Sequence, residues 1–167
     1  IDLAAGGAVA PTLDLAWNVG PPNLGVPVPQ GGGSLVAQGR VSGPTATPRI
    51  QMNAKAEDLI FGTTRAAAAD VTADVDLAPG GTISLDLASQ GVRSGEQVVK
   101  ELTVRGRGTR SSHTVTASAL TEEDRLDVAL AGGIAGTTEN IAWNGQIQRL
   151  DVRSKLIGTW GLAGPAG

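Results

Sequence analysis

Apolar and polar residues alternate along most of this chain with a period of two. Leu13, Leu15, Trp17 and Val19 interleave with Thr12, Asp14, Ala16 and Asn18, and Ile50, Met52, Ala54 and Ala56 interleave with Gln51, Asn53 and Lys55. Val71, Ala73, Val75 and Leu77 alternate with Asp70, Thr72, Asp74 and Asp76 until Pro79-Gly80-Gly81 makes a turn. Weaker alternation spans 35–41 and 113–120. Successive strand side chains point to opposite faces, so such a pattern builds strands with one apolar and one polar face. Repeated at intervals of roughly 8–12 residues, it predicts about eleven short strands and an all-β chain.

Helix is disfavoured independently, because the 24 Gly and 9 Pro each weaken or break a helix interior. Only 54–61 and 65–69 could coil. A hydrophobic content of 41% against 17% charged residues argues for a folded chain over a disordered one. The 167 residues suit a single β-rich segment over 1–167, with an irregular Pro/Gly-rich insertion at about 20–34 (Pro21-Pro22, Pro27, Pro29, Gly31-Gly32-Gly33). The opening Ile1-Asp2-Leu3 lacks Met, as a piece excised from a longer protein would.

The side chains exclude most chemistry. A net charge of -3 offers no footprint for nucleic acid or for an anionic membrane face. No apolar run approaches the ~20 residues that span a bilayer. Cysteine is absent and His113 is the single histidine, so thiolate sites, nucleophilic triads and multi-histidine zinc sites have no material. Neither a G-x-S-x-G elbow nor a phosphate loop occurs. His113 reads as a strand-end residue near solvent. Asp70, Asp74 and Asp76 share the polar parity of their segment and read as a solvated strand face, and Glu122-Glu123-Asp124 reads as a charged turn. Arg105-Gly106-Arg107-Gly108-Thr109-Arg110 has the look of an RNA-binding segment, but no aromatics accompany it on which bases could stack. No residue set points to a metal or a cofactor, and no catalytic residue is assigned.

Large side chains are scarce on the apolar parity. Aromatics make up 2% of the chain, and Gly106, Gly108, Gly132, Gly133 and Gly145 fall on or beside strands. A closed sandwich interlocks bulky side chains across a gap of ~10 Å. Two outcomes fit this light set: a sheet folded onto itself around a complete core, or an apolar face left open as a lined groove.

The C-terminal third carries a family signature. Trp143-Asn144-Gly145-Gln146-Ile147-Gln148-Arg149-Leu150, then Gly158-Thr159-Trp160-Gly161-Leu162 and Pro165-Ala166, resembles the TamB family of the AsmA-like group, in its C-terminal repeat. Ala69 to Val75, Leu102 to Thr109 and Leu126 to Leu130 are similar to it as well, so the resemblance covers roughly residues 65–166. It implies a curved, elongated sheet folded into a taco-like or half-tube shape with an apolar interior. It implies a non-enzymatic periplasmic role, with the parent anchored in the inner membrane. It implies an Omp85-family outer-membrane barrel as partner, and phospholipid acyl chains or unfolded outer-membrane and autotransporter strands as cargo.

The lining expected of such a face is Leu13, Leu15, Trp17, Ile50, Met52, Val71, Val75, Leu77, Ile83, Leu85, Leu87, Leu102, Val104, Leu126, Val128, Leu130, Ile141, Trp143, Ile147, Leu150, Val152, Trp160 and Leu162. Trp143 and Trp160 are expected to plug or cap it where the motif strands meet. First and last strands of an excised sheet would be raw edges, open to edge-to-edge self-association or to an added client strand. Two other classes are weaker. A β-helix adhesin segment with a filled core would show a fixed period, which is missing. A glycosidase using Asp70, Asp74 or Asp76 would need sugar-stacking aromatics that are not supplied.

Overall fold

A computed structural model describes residues 3–20, 31–137 and 140–162. Its strands are β1 (Leu3–Ala10), β2 (Thr12–Val19), β3 (Gly31–Pro44), β4 (Arg49–Phe61), β5 (Thr64–Asp76), β6 (Thr82–Ser94), β7 (Gln97–Thr109), β8 (His113–Leu120), β9 (Asp124–Thr137), β10 (Asn140–Ser154) and β11 (Gly158–Gly161). They form one 11-stranded sheet whose spatial order is the chain order, each strand antiparallel to the next. There is no helix among the described residues, and the two end strands do not pair with each other. The architecture is thus an open all-β sheet, not a barrel, consistent with the curved form expected. A 13-residue strand such as β5 extends about 43 Å at 3.3 Å per residue.

The all-β reading holds, and three local expectations change. Residues 54–61 and 65–69, the possible coils, belong to β4 and β5, because pairing with both neighbours outweighs the helix preference of alanine. Most strands are 13–15 residues long instead of short, because their ends carry Gly, Ala or charge in place of the apolar markers that alternation needs. β1 is a further strand, in an Ala/Gly segment. Of the expected insertion, residues 31–34 belong to β3, and 21–30 lie outside the described residues.

Irregular pairing keeps the faces aligned where the sequence slips. In β10, Ile147 and Leu150 have opposite parity. A shift between Ile147 and Arg149 takes up Gln148, so that Ile147 faces Leu130 and Leu150 faces Val128. This is a β-bulge, one extra residue absorbed against its partner strand. Without it, every residue after Ile147 would change faces.

The polar face is held by ion pairs across neighbouring strands. Asp14 meets Arg40 at 2.7 Å and Lys55 meets Asp70 at 3.4 Å, while Asp86 receives both Arg105 and Arg107. Arg49 donates to Asp74 from Nε at 2.8 Å and from Nη2 at 2.6 Å. Two further pairs lie within single strands, Arg125 with Asp127 in β9 and Arg149 with Asp151 in β10. Arg105 and Arg107, the candidate RNA-binding arginines, are part of this lattice. The Arg49 hydrogen bond holds the Asp74 carboxyl below the ordinary carboxylate range, and the Arg125 hydrogen bond does the same to Asp127. Both carboxyls are lowered in the folded state relative to the unfolded chain, so their stabilisation is present above the unfolded value near pH 4 and fades as the pH falls through the folded values. Thermal melts followed by circular dichroism should therefore lose midpoint below about pH 4. Asp74→Asn should flatten that acid limb, and high salt should weaken it by screening.

Candidate functional site

Register carries the apolar parity from strand to strand. One row runs through Trp17, Gly39, Met52, Ala73, Leu85, Gly106, Val115, Leu130 and Ile147. A neighbouring row runs through Val19, Ala37, Ala54, Val71, Leu87, Val104, Ala117, Val128 and Leu150. A third holds Leu15, Val41, Ile50, Val75, Ile83, Gly108, His113, Gly132 and Gly145. Directly paired residues share a face, so these rows make one apolar surface. Leu13, opposite Gly43, Leu102, Leu126, Val152 and Trp160 extend it. Trp143 joins it opposite Ile134. Leu77 and Leu162 sit just past the ends of β5 and β11. The backbone of Ile141 pairs with Gly136, and its side chain lies outside the described part.

Nothing described covers this surface. Every substantial inter-strand contact is between neighbours in the sheet order. Among the described residues the only buried hydrophobic ones are Ala37 and Ala56, and no described side chain is fully buried. Met52, Leu85, Leu87, Val104 and Val128 are half-buried, shielded only by the side chains beside them. The alternation along single strands fits either a closed core or an uncovered face for the apolar parity. Among the described residues it is uncovered.

The tryptophans lie across glycines. A methyl group at Gly39 would come 2.5 Å from the Trp17 ring, and one at Gly132 would come 2.7 Å from the Trp143 ring. Gly145 is as tightly overlain by Trp143. Both indoles therefore lie flat where the partner strand has no side chain, a pairing that restores packing to a bare stretch of sheet. Trp143 and Trp160 do not form one plug. Trp143 aligns with Ile134 and Trp160 with Val152, itself opposite Leu126. That places them about 26 Å apart along β9, and Trp160 is 64% exposed, its indole Nε1 donating to Ile157 O.

Val19, Val41, Val115 and Ile134 share the face but were absent from the expected lining. Val41 and Val115 lie in weakly alternating segments, and Ile134 stands in Gly132-Gly133-Ile134. The rows themselves contain no charged residue over β2 to β10. Groups of three or more His, Cys, Asp or Glu able to hold a metal ion are missing from the described residues, and no described helix is long and apolar enough to cross a membrane. A shallow hollow of about 710 Å³ opens on the polar side of β2 to β4, beside Asn18, Gln38, Arg40, Gln51 and Asn53. An open sheet has no walls to enclose a pocket, so the hollow does not mark the apolar track.

No curated protein and no solved structure matches the chain. One family model does, described as "TamB, N-terminal domain", over residues 2–166. The match extends the resemblance through the first third of the sequence, and it falls on the N-terminal domain of the family instead of the C-terminal repeat. The family is a non-enzymatic, periplasm-spanning component of outer-membrane biogenesis and transport that works with a partner module. With its open, one-sided apolar sheet and this match over nearly its whole length, the chain belongs to the TamB family.

Proposed function

We propose that this segment is a length of hydrophobic conduit in the periplasm, on which phospholipid acyl chains lie as they pass between the membranes. The observation that carries the reading is the uncovered apolar face, where no described side chain is fully buried. An extended acyl chain fits such a surface. Each CH₂ withdrawn from water contributes about 0.8 kcal/mol, and ten contribute about 8 kcal/mol before ordering costs. The rows of Leu, Val, Ile and Ala repeat with little directional chemistry, so neighbouring positions bind a chain about equally well and it can slide. The charges stay on the other face, in ion pairs that hold the strands in register. An Omp85-family barrel in the outer membrane is the partner this placement calls for, with the parent held at the inner membrane.

A second reading, capture of an unfolded outer-membrane strand, is favoured by one feature. The described part of β11 pairs with Asp151–Ser154 of β10 alone, and Asn140–Arg149 has no described partner on that side. A strand edge of this kind accepts another strand by main-chain hydrogen bonding, whether from a client or from a second copy.

Two measurements test the conduit. On an uncovered face Leu85→Ala should cost about 1 kcal/mol in urea unfolding, below the 2–5 kcal/mol of a closed core; a cost in the core range would mean that the face is closed. Native mass spectrometry of protein taken from membranes should show phospholipid adducts that vanish in Leu85→Asp and Val128→Asp while both variants keep their circular dichroism. Bare protein after incubation with phospholipid vesicles, or adducts unchanged in both variants, would overturn the lipid reading.

A further inference from the structure

We propose that His113 and Trp143 form an acid-released latch, which at neutral pH pins the indole flat across the glycine floor of β9 and β10. The inference rests on the conduit reading, because the floor beneath the indole belongs to the apolar face. His113 opens β8, opposite Gly108 on one side and Gly132 on the other. Its Nδ1 lies 3.1 Å from Thr109 O, and its Nε2 lies 3.0 Å from Trp143 Nε1. A carbonyl can only accept and an indole N–H can only donate. The ring is therefore neutral, with its proton on Nδ1 donated to Thr109 O and its Nε2 lone pair accepting from Trp143. A tautomer assignment of this kind follows from the partners, and here both partners agree.

That arrangement leaves one place for an added proton, Nε2. Imidazolium has two N–H donors and no acceptor, so once protonated it presents a donor to the indole donor. The Trp143 bond then breaks while the Thr109 bond survives. Nothing else described holds the indole by hydrogen bonding. It lies on Gly132 and Gly145 and is 45% exposed. Released, it can swing off the floor and uncover the main chain at Gly132 and Gly145, which interrupts the apolar track at that point. Histidine is the side chain suited to change charge between pH 5 and 8. The residues that β7, β9 and β10 align beside it, Gly108, Gly132 and Gly145, carry no charge. Arg105 and Arg107 of β7 are engaged with Asp86 on the other face. Arg110, in the turn before His113, is the nearest charged residue along the chain.

The single histidine and three tryptophans make the test clean. In the tag-free, ¹⁵N-labelled chain, three indole N–H signals are followed from pH 8 to pH 5, above the acid limb of Asp74 and Asp127. Trp143→Phe identifies the Trp143 signal. That signal should shift and exchange faster with water, in step with the His113 ring signals, while the other two stay. In His113→Gln it should not titrate. A Trp143 signal that stays put while His113 titrates would overturn the latch, as would equal movement in His113→Gln or joint movement of all three indoles. Should His113→Gln fail to fold, the coincidence of the Trp143 and His113 midpoints in the unaltered chain decides. Phospholipid adducts at neutral pH bear on the conduit alone, so its failure beside a titrating Trp143 would leave a latch without a conduit, and the reverse a conduit without a latch.

Discussion

The antiparallel hydrogen-bond ladder between strands adjacent in sequence supports everything else in this molecule. A globular domain draws most of its stability from an enclosed apolar core, and here the described residues enclose none. What remains is main-chain pairing plus cross-strand side-chain pairs, each contributing on the order of 0.2–1 kcal/mol. Those pairs are numerous because the strands are long and the sheet broad. The polar lattice of Asp14–Arg40, Arg49–Asp74 and Asp86 with Arg105 and Arg107 and the half-shielded rows of Val, Leu and Ile on the opposite side are the two faces of one device. Short connections suit it too: Gly62, Gly80 and Gly95 have positive φ in the tight turns between successive strands, and the strand order never has to cross over.

Keeping one face apolar across so many strands demands that register errors be corrected locally. The bulge at Gln148 does this for β10, returning Leu150 and Val152 to the side of Trp143 and Ile147. Glycine does related work where it meets tryptophan. Trp17 and Trp143 are each laid over positions that have no side chain, giving a flat surface instead of a ridge. A smooth, weakly featured face is poor as a recognition site for a shaped ligand and good as a track for a flexible apolar one.

Much of this was legible beforehand at the level of single strands. Leu13-Asp14-Leu15 and Val71-Thr72-Ala73 assign their faces without help, and the resemblance carried by Trp143 to Leu162 pointed to the family that the match over residues 2–166 establishes. β1 was illegible because Ala and Gly stand on both of its parities. The lengths of β4 and β7 were illegible because charged and alanine-rich ends do not alternate. Val115 and Ile134 were overlooked because their strands are marked by Thr and Gly, and a weak pattern on one strand becomes definite only when a well-marked neighbour lies beside it. The face of a residue was thus readable strand by strand, while the continuity of that face across the sheet was not.

By itself the sequence determined which side chains oppose which within a strand, since backbone geometry alternates them with period two. Only the tertiary structure decided that the apolar sides of successive strands align into one surface, that no second layer among the described residues closes over it, and that Trp143 reaches His113. These depend on register between strands and on contacts between residues far apart in the chain; His113 and Trp143 are separated by 30 positions. Alternation along one strand is indifferent to such separations, because it specifies a face and not the neighbour that will share it.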